Sequence, residues 1–291
     1  MKVRNVSKGN VSPSEKVHHY YRIFEQIHEN PVMSLYDIAV NTHLSRNTVS
    51  KYLKEMYEKN ILVGPYLGMK SAANYKEYGY LLNFTGPHAA FHELKQVPYV
   101  LYAASTFGNW NTLVITNRLL DFSTLKGFET VVDHEVECSS YTPKPGVIAW
   151  DQSFEKVYEQ LIQFTPVRTE HKDRRLTVLD WGEDQWKLYS SFNFMRKKVT
   201  PVLRKIKVSY ETYAQWMKTL EDHCTIHTEF YPEGYQTYSR NCFLFYTDYE
   251  ESVKSLFSSF PTTSHFIELE KNLLVFTHTV SSRVKRGLMC L

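Results

Sequence analysis

The 291-residue sequence lacks the long apolar and signal-like segments that direct a chain into or across a membrane. No apolar run approaches the ~18–20 residues that a spanning helix needs. The first sixteen residues are polar and contain no apolar core segment. Cysteine is scarce, and Cys138, Cys224, Cys242 and Cys290 are widely spaced with no CxxC pair, which indicates reduced thiols. We therefore expect a cytoplasmic protein that has no membrane partner.

Recognisable catalytic motifs are also missing. The sequence contains no GxxxxGK[ST] phosphate loop, no GxGxxG, no HExxH and no GxSxG. Candidate metal ligands cluster only at His223, Cys224 and His227 and at His134 with Cys138, and neither group closes a tetrahedral site. We therefore predict that the chain is not an enzyme and that it has no catalytic residues, metal or cofactor.

The charge is low overall but unevenly distributed. The formal net charge is +3, yet residues 1–76 contain eleven basic and six acidic side chains. The N-terminal quarter therefore carries the positive charge, as a local nucleic-acid-binding domain requires. A hydrophobic fraction of 43% excludes a disordered chain, and the length allows two or three domains.

Hydrophobic spacing predicts three helices near the N-terminus. The first covers Ser14–Glu29 with Ser14 as its cap, the second covers Ser34–Asn41, and the third follows the capping residue Ser45 to about Asn60. Residues 61–67 (ILVGPYL) then predict a strand, a turn and a strand, which form a wing. Three helices followed by a wing indicate a winged helix-turn-helix.

The chain changes character after Ala72. Strands and helices in the order βαββαβ predict a ferredoxin-like sheet domain with its helices on one face. The predicted strands are 77–85, 99–106, 111–116 and 131–140, and the predicted helices are 87–96 and 121–128. The predicted fold class is therefore α+β, a winged helix-turn-helix followed by a ferredoxin-like domain.

The same pattern recurs at an offset of 164 residues. Ser209 corresponds to Ser45, and Tyr213 corresponds to Val49. Later strands repeat the sheet domain in a shortened form without its fourth strand, and residues 281–291 predict a helix. We therefore predict a tandem duplication of one unit, which consists of a winged helix and a sheet domain.

Five segments follow from this pattern. They are a winged helix-turn-helix at 1–72, a ferredoxin-like domain at 73–142, a helical connector at 143–178, a second winged-helix-like domain at 179–236 and a truncated ferredoxin-like domain at 237–291. The charged stretch 168–175 of the connector is expected to be exposed.

The third helix carries side chains suited to reading DNA. Arg46 and Asn47 can pair with guanine or adenine edges in the major groove, and lysines on the same helix can meet phosphates. The predicted DNA-binding residues are Ser45, Arg46, Asn47, Thr48, Ser50, Lys51, Lys54 and Lys70. The predicted partner is double-stranded DNA.

Residues 34–62 (SLYDIAVNTHLSRNTVSKYLKEMYEKNIL) resemble the helix-turn-helix of the Lrp/AsnC (feast/famine) transcriptional regulators. The resemblance is carried by Ala39, by Leu44-Ser45 and by Thr48-Val49. The segments YGYLLNF and PYVLYAASTFGNWNTLVIT look like the effector-sensing sheet domain of that family. Departures are His43, which replaces a glycine in the turn, the long connector and the second unit.

The resemblance implies a transcriptional regulator that forms a homodimer through its sheet domains and responds to a small-molecule effector. By position, the turn at Phe107, Gly108 and Asn109 is where the effector would bind, because glycine allows close backbone approach. A plain hairpin turn is the alternative interpretation of these residues.

Whether the second winged helix binds DNA stays open. Its third helix exposes Tyr210 and Glu211, and Glu211 stands where Asn47 stands in the first copy. An acidic, aromatic surface disfavours phosphate and favours a protein contact. Six basic residues between Arg196 and Lys207 could nevertheless touch the DNA backbone.

Two other functions remain as alternatives. Siroheme decarboxylases resemble the same pairing of winged helix and sheet domain, and such an enzyme would bind a tetrapyrrole through His88, His92 and Arg118. The other alternative is an interaction scaffold in which neither winged helix touches nucleic acid.

Overall fold

A computed structural model describes residues 12–164, residue 168 and residues 176–280. The first unit consists of α1 (Pro13–Glu29), α2 (Leu35–Thr42), α3 (Arg46–Glu58), β1 (Leu62–Met69), β2 (Glu77–Phe84), α4 (Pro87–Leu94), β3 (Val100–Ser105), β4 (Thr112–Thr116) and β5 (Phe128–Tyr141). The connector helix is α5 (Trp150–Ile162). The second unit consists of α6 (Glu183–Phe192), α7 (Val199–Ile206), α8 (Tyr210–Lys218), α9 (Leu220–His223), β6 (Cys224–Phe230), β7 (Ser239–Phe245), α10 (Glu250–Ser258), β8 (His265–Leu269) and β9 (Leu273–Thr279).

The α+β fold class is confirmed, with a winged helix-turn-helix at the N-terminus followed by strands of a sheet. The tandem duplication stays a prediction. None of the described helices has the length and apolar character needed to cross a lipid bilayer. The helix predicted at 281–291 lies outside the described residues, as does the charged stretch 168–175 apart from Arg168. The five domain boundaries remain predictions.

Serine caps begin the three helices of the first winged helix. The side chains of Ser34 and Ser45 accept hydrogen bonds from backbone N–H groups three residues later, at 3.2 Å and 3.1 Å. The cap of α1 is Ser12, not the predicted Ser14, because Pro13 takes the first helical position, where its missing N–H costs nothing. The three helices enclose a core that contains Phe24, Ile38, Val49, Met56 and their neighbours.

The turn between α2 and α3 forms without glycine. His43 adopts the left-handed conformation, with φ 52° and ψ 30°, and ends α2. Lys207, 164 residues later, adopts the same conformation at the end of α7, with φ 58° and ψ 40°. A non-glycine residue in this region costs roughly 1–2 kcal/mol, and the apolar residues that follow, Leu44 and Val208, pack into or against their cores and hold the turn.

The predicted wing is not a hairpin. Residues 62–69 form a single strand, β1, which pairs antiparallel with β6 of the second unit, from Leu62 opposite Phe230 to Met69 opposite Cys224. The Gly64-Pro65 step, expected to be a turn, is instead a register shift between Val63 and Tyr66 within the strand. A proline cannot donate to a strand ladder, so it is accommodated at such an irregularity. We call this pair of strands the β1–β6 ribbon.

The remaining strands form one seven-stranded antiparallel sheet in the order β3-β4-β2-β5-β8-β9-β7. The first four have the ferredoxin-like order, with the first strand of the domain, β2, between its third and fourth. The second unit contributes three strands, and β5 joins β8 to make the sheet continuous. The described part of the second unit therefore contains no fourth strand.

The helix predicted at 121–128 is absent, so the first sheet domain has the order βαβββ. Turns replace it. The Asp121 carboxylate accepts the N–H of Ser123 at 2.9 Å, which competes with helical hydrogen bonding. Gly127 has φ +77°, a conformation that ends any helix there. Phe122 is buried in the core beneath the sheet, and Leu125 packs against that core, so both anchor this loop.

Helices cover the outer faces of both halves of the sheet. Helix α4 packs on the first half, and α5 and α10 pack on the second. The face of the sheet opposite these helices carries another apolar cluster. It combines Leu81 and Leu113 of the first half with Ile267, Leu269 and Leu274 of the second. Because these strands are buried on both faces, their sequences are nearly continuous apolar runs.

Two glutamates lie opposite each other in the sheet. Glu77 of β2 pairs in register with Glu137 of β5, so both side chains lie on one face. The Tyr75 hydroxyl donates to Glu77 Oε1 at 2.7 Å. Burial, together with the charge of Glu77, raises the pKa of Glu137 to about 8. Burial also raises the pKa of Glu77. Glu137 is therefore mainly protonated at neutral pH.

This arrangement predicts a pH-dependent stability. Because the folded-state pKa of Glu137 exceeds its unfolded value, its proton stabilises the fold below about pH 4.5, and that contribution is lost as the pH rises through about 8. Glu137→Gln, which cannot ionise, should raise the unfolding free energy at about pH 8.5 by on the order of 1–3 kcal/mol. Near pH 5 it should change little. Urea unfolding at both pH values measures the difference, and an equal effect at both would contradict the assignment.

Candidate nucleic-acid interface

The outward face of α3 carries polar and basic side chains. Val49, Leu53 and Met56 belong to the core, so residues on the opposite side of this amphipathic helix face solvent. The exposed residues of α3 from the predicted site are Arg46, Asn47, Ser50, Lys51 and Lys54. The structure thus brings most of the predicted site together on one open face.

The start of α3 is shaped by its cap. Ser45 Oγ accepts the N–H of Thr48 at 3.1 Å and lies 2.9 Å from the Thr48 hydroxyl. These two side chains therefore hold the helix end, and Thr48 is half-buried. The other N–H groups of a first helical turn have no intrahelical partner, which suits them to an anion such as phosphate.

Charge on α3 is divided between two faces. Glu55 accepts Lys16 Nζ at 2.8 Å and Lys59 Nζ at 2.7 Å, and these hydrogen bonds lower its pKa to about 2. The bond to Lys16 ties α3 to α1. Lys54 pairs with Glu58 at 3.7 Å. Arg46 and Lys51 have no carboxylate partner among the described residues, so no ion pair neutralises their charges.

Lys70 does not lie with the other predicted DNA-binding residues. It follows the far end of β1, roughly 25 Å of extended strand from Leu62, and its ammonium donates to the backbone carbonyl of Glu221 at 2.6 Å. The loop at Phe107, Gly108 and Asn109 lies between β3 and β4, and all three residues are exposed. The space next to Gly108 is open, since a Cβ atom added to this glycine would meet no heavy atom within 4 Å.

The second winged helix presents a different surface. Helix α8 exposes Tyr210, Glu211 and Gln215 where α3 exposes Arg46, Asn47 and Lys51. Its basic block is largely exposed at Lys197, Lys198, Arg204, Lys205 and Lys207. The two recognition-type helices of one chain are therefore not equivalent.

Arg196 is the exception in that basic block. Its guanidinium donates to the backbone carbonyls of Pro31 at 3.0 Å and Met33 at 3.1 Å, just before α2. A groove of about 720 Å³ remains between α3 and the Phe194–Arg196 segment, lined on the α3 side by Ser50, Lys54 and Tyr57. Arg196 thus joins the two winged helices without covering α3.

A buried polar cluster was missed in the sequence. Tyr231 donates to Glu229 at 2.9 Å, and His265 Nδ1 lies 3.4 Å from the same carboxylate. Burial lowers the pKa of His227 to about 3 and that of His278 to about 4, so both are neutral at pH 7. The signal was the alternation of His227 and Glu229 in β6 with Tyr231 directly after it, since a two-residue period places them on one face.

The candidate metal ligands do not converge. Cys224 lies 3.8 Å from the Met69 sulfur, His223 packs on Trp181 at 5.8 Å, and His227 bonds to Thr225 at 3.0 Å. Within the described ranges, no group of three or more His, Cys, Asp or Glu side chains is arranged to hold a metal ion.

Residues 21–63 match the family of winged helix-turn-helix DNA-binding domains. This match spans α2 and α3 and most of α1, the segment whose geometry is described above. The N-terminal part of the chain is therefore a winged helix-turn-helix of the DNA-binding class. A search of curated protein sequences found no match.

Solved structures similar to this chain include regulators of the Lrp/AsnC kind. AsnC from E. coli is 11% identical, with 45% of this chain and 94% of that chain covered and a TM-score of 0.34. A Neisseria meningitidis transcriptional regulator in complex with L-Met is 16% identical, with 40% and 85% covered and a TM-score of 0.31. The siroheme decarboxylase NirDL is 11% identical, with 93% and 85% covered and a TM-score of 0.45.

The Glu55 ion pairs predict a stability that falls in acid. The folded-state pKa of Glu55 is lowered to about 2, so its contribution is present above about pH 4.5 and is lost as the pH falls through 2. Glu55→Gln should lower the unfolding free energy by about 1 kcal/mol at pH 7 and by almost nothing near pH 2. Thermal unfolding across this range measures it.

Glu58→Gln is the matched control, because Glu58 lies one turn from Lys54 on the exposed side of the same helix. Glu58→Gln should lower the unfolding free energy by at most about 0.5 kcal/mol at pH 7. If Glu55→Gln and Glu58→Gln lower the unfolding free energy equally, the pairing of Glu55 with Lys16 and Lys59 contributes no more than an exposed ion pair.

Proposed function

We propose that the chain is a transcriptional regulator that reads DNA sequence with α3. The observation that carries this proposal is the open face of α3, a capped helix on which Arg46 and Asn47 stand in the first turn and Lys51 stands one turn later. An α-helix fits the major groove of B-form DNA, and residues near its N-terminus then reach the base edges. The match of residues 21–63 to DNA-binding winged helices supports the same use.

Each exposed side chain has a distinct role in this proposal. Arg46 donates two hydrogen bonds to a guanine, and Asn47 pairs with an adenine. Lys51 and Lys54, one turn further along, follow the phosphate backbone, as do Ser45 and the first turn of α3. Lys70 is left out of this interface because its ammonium is bound to the Glu221 carbonyl.

One chain offers one helix of this kind, because α8 presents Tyr210 and Glu211 instead of Arg46 and Asn47. We therefore propose a homodimer, in which two copies of α3 read two half-sites. The two sheet halves of a single chain are already joined through β5 and β8. A second copy would pair through the outer strands of the described sheet, β3 or β7.

A siroheme decarboxylase is not favoured by the geometry. His88 and His92 lie on the exposed side of α4 with ring centroids 4.7 Å apart, whereas Arg118 stacks on Tyr99 at 4.2 Å. The cleft that Arg118 lines contains neither histidine. These three residues therefore do not form one tetrapyrrole pocket, and we propose no enzymatic activity.

The proposal predicts two kinds of DNA-binding defect. DNA fragments are first selected from a random pool by the full-length protein. Arg46→Ala should then weaken binding to the selected site by about 1–3 kcal/mol and relax the preference at one base position. Lys51→Ala should weaken binding to all DNA sequences alike, and it should reduce the slope of log affinity against log salt concentration by about 1. Fluorescence anisotropy at several salt concentrations measures both.

Lys218→Ala is the matched control, because Lys218 stands in α8 where Lys54 stands in α3. It should leave binding unchanged. Equal losses for Lys218→Ala and Lys51→Ala would contradict the assignment of DNA reading to α3 alone. Wild-type binding by both Arg46→Ala and Lys51→Ala would defeat the proposal.

A further inference from the structure

A cleft separates the first sheet domain from the second winged helix. Its volume is about 770 Å³, and its walls include Tyr75, Lys76 and Tyr78 at the start of β2, Asn117 and Arg118 after β4, and Trp186 of α6. We call it the Arg118 cleft. Small-molecule sites usually have volumes of about 300–1,000 Å³, so its size suits a small organic ligand.

Both charged side chains that line the Arg118 cleft are positive. Lys76 and Arg118 line it, and the lining contains no carboxylate. Neither cation forms an ion pair with any described residue. Glu77, the nearest acid along the chain, is turned into the protein and bound by the Tyr75 hydroxyl at 2.7 Å. Two cations without a counter-ion in a concave site favour an anionic ligand.

The cleft also offers aromatic surface. Tyr75 and Trp186 pack against each other with centroids 5.7 Å apart, and Tyr78 adds a third ring to the lining. Arg118 lies over the ring of Tyr99 at 4.2 Å, which orients its planar guanidinium. Aromatic walls beside an oriented guanidinium suit a flat ligand that bears a carboxylate.

The walls are fixed before any ligand binds. The Asn74 amide makes two hydrogen bonds to the backbone of Leu179, at 3.0 Å and 2.8 Å, which tie the loop before β2 to the segment before α6. The Thr116 hydroxyl donates to the Arg118 carbonyl at 2.7 Å and fixes the opposite wall. A preformed site avoids the cost of ordering loops on binding.

One polar atom in the lining lacks a partner. The side-chain oxygen of Asn117 is buried and accepts no hydrogen bond from any described residue. A buried acceptor without a donor costs about 1–3 kcal/mol unless something satisfies it. A hydroxyl on the ring of the ligand would satisfy it, whereas a carboxylate would have to lie away from this oxygen, next to Arg118 and Lys76.

We propose that the Arg118 cleft binds a small aromatic carboxylate, with Arg118 and Lys76 holding the carboxylate and Trp186 and the tyrosines packing on the ring. This binding does not depend on the DNA-reading role proposed for α3. The site is distinct from the exposed loop at Phe107, Gly108 and Asn109, where the sequence alone placed an effector.

Isothermal titration calorimetry of the full chain with naphthalene-2-carboxylate tests the proposal. The neutral naphthalene-2-carboxamide, which has the same shape, is the comparison ligand. The carboxylate should bind at least about ten-fold more tightly than the amide. Arg118→Gln and Lys76→Gln should each reduce its affinity by about ten-fold, since each removes a charge-assisted hydrogen bond. Trp186→Leu should weaken both ligands.

Lys126→Gln is the control, because Lys126 is an exposed lysine of the same domain outside the cleft. It should bind like the wild type. Circular dichroism and thermal unfolding check that each variant is folded, and Lys76→Gln serves if Arg118→Gln is not. No binding of the carboxylate, equal binding of carboxylate and amide, or wild-type affinity in both charge variants would overturn the proposal.

Discussion

The architecture depends on the pairing of β1 with β6. Each strand contributes to the core of the other unit's winged helix. Phe230 of β6 packs into the first winged helix, with its ring 5.1 Å from Phe24, whereas Leu67 and Met69 of β1 belong to the core of the second. Neither helical core is complete without the strand from the other unit, since a large buried side chain such as Phe contributes several kcal/mol. The two winged helices therefore fold as one body.

Because the cores of the two winged helices depend on their buried residues and on this exchange of strands, the exposed residues of α3 and α8 can differ. Both units need the same local devices, and both have them: a serine cap, a left-handed residue before it and an apolar residue between them. The outward faces carry no such constraint. Arg46 and Asn47 on α3 correspond to Tyr210 and Glu211 on α8, and all four side chains are exposed. The exposed faces of α3 and α8 can therefore differ while both helical cores keep the same local structure.

Local chemistry made much of this predictable from sequence. Ser45, the spacing of Val49 and Met56, and the offset to Ser209 were enough to place α3 and its counterpart α8. The errors arose where distant residues decide the structure. Gly64-Pro65 looked like a hairpin turn, because its partner strand lies more than 150 residues away in the sequence, as in the pair of Leu62 with Phe230. The prediction of a helix at 121–128 was wrong because the Asp121 carboxylate accepts a hydrogen bond from the N–H of Ser123 instead. The Arg118 cleft could not be foreseen, since Lys76, Arg118 and Trp186 meet only in the fold.

The contacts between the second winged helix and the first unit include the β1–β6 ribbon, the Arg196 contacts to Pro31 and Met33, and the Asn74 contacts to Leu179. The first is a buried ladder that both helical cores share, and it cannot open without exposing Phe230 and Met69. The other two are pairs of partly buried hydrogen bonds, each pair worth a few kcal/mol at most. A change in the relative position of α3 and α8 would therefore disturb the Arg196 and Asn74 contacts before it opened the ribbon. Asn74 lines the Arg118 cleft, so a ligand there would bear directly on one of the two weaker connections.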